Sequence, residues 1–99
     1  MHAVAYTVRM VPDVDWDGAI NSVKKIVELS NRDDNSMIAC RALFPNDGLR
    51  RVTYLCDFKT VEDASTWWTK TSDEYRAAMK ESQKYFVFDH KTTNYWTLD

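Results

Sequence analysis

Glycine and proline are scarce in this chain of 99 residues, two of each, which excludes a loop-rich or collagen-like molecule; with 44% hydrophobic residues the chain is also too apolar for disorder. Cysteine is scarce too. Cys40 and Cys56 are too few for a small secreted scaffold stapled by disulfides, and both are expected as free thiols. There is no apolar run near the roughly 18–20 residues of a membrane span, and the N-terminus has no basic segment followed by a hydrophobic core and cleavage site. A cytoplasmic protein without a membrane partner is expected. Positive charge is in no excess: 13 basic and 15 acidic residues, spread along the chain, give a net charge of −2, so a phosphate-neutralising stripe is absent and nucleic acid is excluded as a partner. Histidine occurs twice, at His2 and His90, too far apart in sequence to start a metal site, so no metal is expected.

What is present is an ordered succession of elements in one expected domain, 1–99. At this size a domain hides only roughly 60–65% of the surface of its unfolded chain, so a partner chain would help it. Residues 2–10 alternate with period two, placing His2, Val4, Tyr6, Val8 and Met10 on one face of a first strand. Pro12 ends that strand, Asp13 or Asp15 caps a helix, and Trp16, Ala19, Ile20, Val23, Ile26 and Val27 form its apolar stripe to about Ser30. Strands over Ser36–Phe44 and Arg50–Phe58 follow, joined as a hairpin through Pro45-Asn46-Asp47-Gly48-Leu49. This pairing sets Cys40 opposite or diagonal to Cys56 on one face; a disulfide between directly paired strands is usually strained, so two buried thiols are expected.

Thr60 caps a second helical region, with Asp63 three residues on. Its stripe reads Val61, Ala64, Trp68, Thr71, Tyr75, Ala78 or Met79, Ser82 and Phe86, and Thr71-Ser72-Asp73-Glu74 looks like a fresh N-cap, which predicts a break there. A last strand lies between about Phe86 and Leu98, with an irregularity over 89–91. The order β-α-β-β-α-β is the ferredoxin-like arrangement, an α+β fold with one antiparallel sheet and both helices on one face. The other face, with Ala5, Thr7, Arg41, Leu43, Leu55 and Asp57 among its residues, is too apolar for water and too polar for a dry core. A homodimer packed through it is expected, with Arg9 or Arg41 able to reach Asp57.

A chain of this length and order, with an aromatic-rich second helix broken before a Ser-Asp-x-aromatic restart, resembles the dimeric α/β-barrel superfamily, and within it the antibiotic-biosynthesis monooxygenase-like (ABM-like) domains. The resemblance implies a homodimer and a small-molecule ligand; the superfamily also holds cyclases, isomerases and proteins without known activity, so it sets a fold rather than a reaction. Heme-degrading members place an iron-binding His after a Ser-Asp-x-aromatic-basic-Ala-Ala run and an Asn on the first strand. Here Ser72-Asp73-Glu74-Tyr75-Arg76-Ala77-Ala78 is followed by Met79, the first strand offers Thr7, and Trp68 fits the family's early-helix Trp only with a one-residue shift. A thioether binds heme iron in some proteins, so heme held by Met79 is an alternative, against Met79 as core filler. Cofactor-independent quinone-forming members place an Asn, a Trp and a Tyr at the positions of Tyr54, Phe58 and Ala64, and all three differ.

The aromatic residues remain as the candidate site. Adjacent helical residues point about 100° apart, so Trp67 and Trp68 cannot both centre one stripe. The stripe selects Trp68 as core and leaves Trp67 to line a pocket, pack at a dimer edge or cover a loop. Tyr6 and Tyr54 fall on the helix side of the sheet, where their hydroxyls close internal bonds or bind a polar ligand group. The candidate substrate contacts are Tyr6, Tyr54, Trp67, Trp68, Tyr75 and Met79, with His90 as the candidate catalytic proton carrier beside a surface or structural role. The leading expectation is a small-molecule enzyme without cofactor, monooxygenase-like, acting on a phenolic or polycyclic substrate; the alternatives are a non-catalytic ligand-binding or accessory dimer and a heme-binding or heme-degrading protein.

Overall fold

The computed structural model describes residues 1–96, with the side chains of residues 88–90 outside the description. Strand β1 (His2–Met10) leads to helix α1 (Trp16–Arg32), hairpin strands β2 (Met37–Leu43) and β3 (Arg51–Phe58), helix α2 (Val61–Thr66), a 3-10 turn (Trp67–Lys70), helix α3 (Asp73–Ser82) and strand β4 (Phe86–Trp96). The strands form one antiparallel sheet in the order β2-β3-β1-β4, the expected ferredoxin-like topology. The expected irregularity in the last strand is present: between Thr7 and Arg9, two steps along β1 match four along β4, so β4 carries two extra residues there. The strand's expected end at Leu98 lies outside the described residues.

Local signals account for the boundaries. Asp15 caps α1, its carboxylate accepting the Gly18 N–H, and Thr60 caps α2 by accepting the Asp63 N–H at 3.1 Å. The hairpin turns through Gly48 at φ +77°, a left-handed conformation that favours glycine, while the Asp47 carboxylate accepts the Leu49 N–H. Helix α1 buries Ala19, Val23, Ile26, Leu29 and Ser30, with Ile26 and Leu29 packed against Tyr75. Trp16 departs from the expected stripe: it is the first residue of the helix and is 48% exposed.

The second helical region breaks where expected. Ser72 restarts it, its Oγ accepting the Tyr75 N–H at 3.0 Å and donating to Asp33 Oδ2 at 2.6 Å, which ties the start of α3 to the residue that ends α1. Lys25 and Arg32 of α1 add ion pairs to Glu74, but water screens exposed pairs of this kind and they contribute little. The expected stripe through Val61 and Trp68 is overturned: Val61 is 66% and Trp68 64% exposed, whereas Ala64 and Trp67 pack inward. The step from Ala64 to the next inward residue is three, not four, because the chain tightens into the 3-10 turn, whose side chains repeat every third residue.

Three core clusters fill the space between sheet and helices, centred on Val52 and Phe86, on Val4 and Phe58, and on Ile26 and Leu29. Tyr54 packs against all three. Asn31 guards the sheet's edge: its side-chain amide donates to the Cys40 carbonyl at 2.9 Å and accepts the Cys40 N–H at 2.8 Å, occupying backbone that an edge strand would otherwise present to another chain. Ser72→Ala removes a cap and the Asp33 bond together, so it should lower stability by about 1–2 kcal/mol; urea unfolding should show a lower midpoint at unchanged slope, and an unchanged midpoint would contradict the cap.

Candidate functional site

Tyr6 and Tyr54 are direct cross-strand partners of β1 and β3, so period two brings both phenols to the helix side of the sheet. Cys56, two residues on from Tyr54, shares that face and is opposed by Cys40 of β2. The helical layer closes over them with Trp67 and Tyr75. The Trp67 ring meets Tyr6 (centroids 6.4 Å, 61°), Tyr75 (5.9 Å, 89°) and Phe58 (6.4 Å, 36°), the first two as edge-to-face contacts, and its Nε1–H donates to the Tyr6 hydroxyl at 3.2 Å. Tyr75 is buried in the first turn of α3, and the buried Ser30 hydroxyl of α1 favours the ionised form both of it and of Cys40, against burial. Among the described residues the Tyr6 hydroxyl is hydrogen-bonded and the Tyr54 hydroxyl is not.

All three phenols are held protonated. Burial raises Tyr6 above its ordinary value, against the opposing Trp67 donor; burial raises Tyr54 and Tyr75 further, with neighbouring phenol and thiol groups adding to it. At neutral pH they are hydrogen-bond donors and not bases. The site therefore offers an oxygen anion a set of neutral O–H donors in a low-dielectric setting.

The remaining expected site residues fall differently. Trp68 points outward, one residue past the inward phase of the 3-10 turn, so its expected core place belongs to Trp67. Met79 is half-buried against the cluster of Ile26, Leu29 and Tyr75, the packing of a core side chain. The side chain of His90 lies outside the described residues. Both thiols are free and buried, as expected, and no group of three or more His, Cys, Asp or Glu side chains among the described residues is placed to hold a metal ion. Ser30 is not among the expected site residues, although its place four residues after Ile26 on the buried stripe of α1 signals a polar group turned inward.

Two clefts open elsewhere. One, of about 370 Å³, lies along the outer edge of the sheet, between Ile20 and Val27 of α1 and Ala42 and Phe44 near β2, with Lys24 and Arg41 at its margin. The other, of about 600 Å³, lies on the sheet face away from the helices, over Ala5, Arg41, Leu43, Leu55 and Asp57. Neither is lined by Tyr6, Tyr54, Trp67 or Tyr75. The aromatic cluster is packed ring against ring.

No family model matches the chain, and no curated protein matches it. Solved structures do. A candidate antibiotic biosynthesis monooxygenase from Nitrosomonas europaea is 16% identical with a TM-score of 0.79, covering 100% of both chains. A structure titled antibiotic biosynthesis monooxygenase is 8% identical with a TM-score of 0.78, again over 100% of both. A dimeric protein of unknown function and ferredoxin-like fold from Bacteroides fragilis is 17% identical with a TM-score of 0.69, covering 95% of this chain and 94% of that one. At these identities the likeness is one of fold: the chain has a ferredoxin-like α+β fold.

The raised phenols make stability depend on alkali. Unfolded tyrosine ionises near its ordinary value of 10.0 whereas Tyr6, Tyr54 and Tyr75 resist ionisation in the fold, so their contribution is complete below pH about 10 and is lost as pH rises from there toward their raised values. Urea midpoints should hold between pH 8 and 9 and fall by pH 11, with a smaller fall in Tyr54→Phe. An equal fall in that variant would remove Tyr54 from this linkage.

Proposed function

We propose that the protein is a small-molecule enzyme that oxidises a phenolic or polycyclic substrate with O2, the substrate itself supplying the electrons. The observation that carries this reading is the uncommitted hydroxyl of Tyr54, a neutral donor set among Tyr6, Trp67, Tyr75 and two thiols. A donor there stabilises the phenolate form of a flat substrate, and the anion is the electron-rich species that reacts with O2. The balance closes without another reductant: a phenol bearing a ring hydrogen and one O2 give a quinone and one water. Trp67 forms the movable wall, since its 3-10 turn has no side-chain cap and displacement of that turn would open the cluster to a ligand. His90 would carry the proton, and two reduced thiols suit a cytoplasmic place.

The fold likeness to structures titled antibiotic biosynthesis monooxygenase supports the oxidation. A second reading, a ligand-binding or accessory dimer without turnover, is favoured by the closed packing of the cluster. Oxygen consumption with a panel of hydroxylated naphthalenes and anthracenes separates the two. Wild type should form quinone, and Tyr54→Phe, which deletes one unbonded oxygen, should lose at least about tenfold in kcat/KM at nearly unchanged stability. Binding without oxygen uptake would leave the accessory reading; turnover equal in Tyr54→Phe and wild type would sink the role of Tyr54.

The dimer belongs to the same proposal. The sheet face away from the helices carries Leu43, Leu55 and Tyr95 beside Arg41 and Asp57, a mixture that fits a second copy of itself, and a structural neighbour is titled dimeric. Light scattering on the eluting protein should give twice the chain mass, and Leu55→Asp, which sets a carboxylate in the middle of that face, should give a folded monomer. A monomeric wild type at micromolar concentration would end the dimer.

A further inference from the structure

The chemistry proposed above leaves one nucleophilic pair unused. Cys40 and Cys56 are directly opposed in β2 and β3, buried, with their sulfurs 3.7 Å apart and the Cys56 thiol donating to Cys40 Sγ. The backbone shows what kind of pair this is. Both the N–H and the carbonyl of Cys40 are bound by the Asn31 side chain, so they turn away from β3. In an antiparallel ladder that makes Cys40 and Cys56 a non-hydrogen-bonded pair, whose Cα atoms are about 4.5 Å apart and whose side chains are at their closest. A disulfide spans Cα separations of about 4.4–6.8 Å, so these strands already stand at bonding distance and only the sulfurs need to close, to about 2.05 Å.

We propose that Cys40 and Cys56 are a redox couple, closed by peroxide to a cross-strand disulfide and reopened by a thiol reductant. The Cys40 thiolate attacks the peroxide: an S–O bond forms, the O–O bond breaks, and hydroxide leaves and is protonated to water. Cys56 then displaces hydroxide from the sulfenic sulfur, forming the S–S bond; its proton and the hydroxide leave as the second water. In sum two thiols lose two electrons and two protons, and one peroxide becomes two waters.

The hydrogen bonds set the order of attack. The donated Cys56 S–H holds the Cys40 thiol below its ordinary value, with the Ser30 hydroxyl helping and burial and Asp57 opposing, whereas that same bond, with burial, pushes Cys56 up. Cys40 is thus the attacking sulfur and Cys56 the resolving one. Access needs only local opening, because β2 is an edge strand. A bond between directly paired strands is strained, and strained disulfides are the readily reduced ones, which makes the couple reversible.

The test is independent of any substrate. Reduced protein, freed of reductant, is treated with hydrogen peroxide, quenched in acid, alkylated with N-ethylmaleimide in denaturant and weighed intact. The expected product is a monomeric chain two hydrogens lighter that has lost both alkylation sites, and dithiothreitol restores both. Cys56→Ser under the same treatment should carry a sulfenic acid on Cys40 that dimedone traps, and Cys40→Ser should keep Cys56 alkylatable. Wild type that keeps both sites, gains oxygen without forming the bond, or links only between chains overturns the proposal, and that reading stands even if a serine variant does not fold.

Discussion

The position of Ser72 governs the geometry of the helical layer. In one unbroken α-helix Trp67 and Tyr75, eight residues apart, would point roughly 80° apart around the axis, and one of them would leave the sheet. The 3-10 turn advances the chain by roughly 120° per residue, and the gap before α3 lets the phase be set afresh. Ser72 sets it by accepting the Tyr75 N–H, and its bond to Asp33 anchors the new helix on the end of α1. Trp67 and Tyr75 then meet edge to face above Tyr6 and Tyr54.

Helix α1 supplies the complementary polar contacts through two consecutive residues. Ser30 turns a buried hydroxyl inward that favours the ionised forms of Tyr75 and Cys40; Asn31, about 100° further round the helix, reaches the outer backbone of β2 at the same cysteine. Asn31 thus fixes the edge strand through its outer backbone. With so few donors inside, burial keeps the phenols protonated, and the thiol proton that Cys56 donates to Cys40 decides which sulfur is nucleophilic.

The strands were legible because period two reports a half-buried sheet directly, and the caps were legible because Asp15, Thr60 and Ser72 carry the oxygen that a helix start needs. The irregularity of β4 and the hairpin that opposes the two cysteines were legible for similar local reasons. The identity of the inward tryptophan was not. Stripe counting assumes 3.6 residues per turn, and one step at three per turn exchanges Trp67 for Trp68. Nor does an aromatic-rich pattern separate a pocket wall from a packed core: Trp67 packs against both Tyr6 and Tyr75 and bonds the Tyr6 hydroxyl, while the missing partner of the Tyr54 hydroxyl, which no sequence pattern records, marks where a ligand would bond.

The sheet couples the two faces. The molecule measures 39 × 31 × 19 Å, and its thinnest dimension matches one helix layer on one sheet at roughly 10 Å per layer. A two-layer domain leaves half of its sheet without cover, and β3, a central strand, alternates between the faces: Tyr54 and Cys56 point to the helices while Thr53, Leu55 and Asp57 point away. Anything seated on the open face therefore orders the backbone that also positions the Tyr54 hydroxyl and the resolving sulfur. A second copy there would hold β3 from beneath as the aromatic cluster holds it from above, so assembly and site chemistry share one strand, and a change that loosens the interface should be felt first at Tyr54.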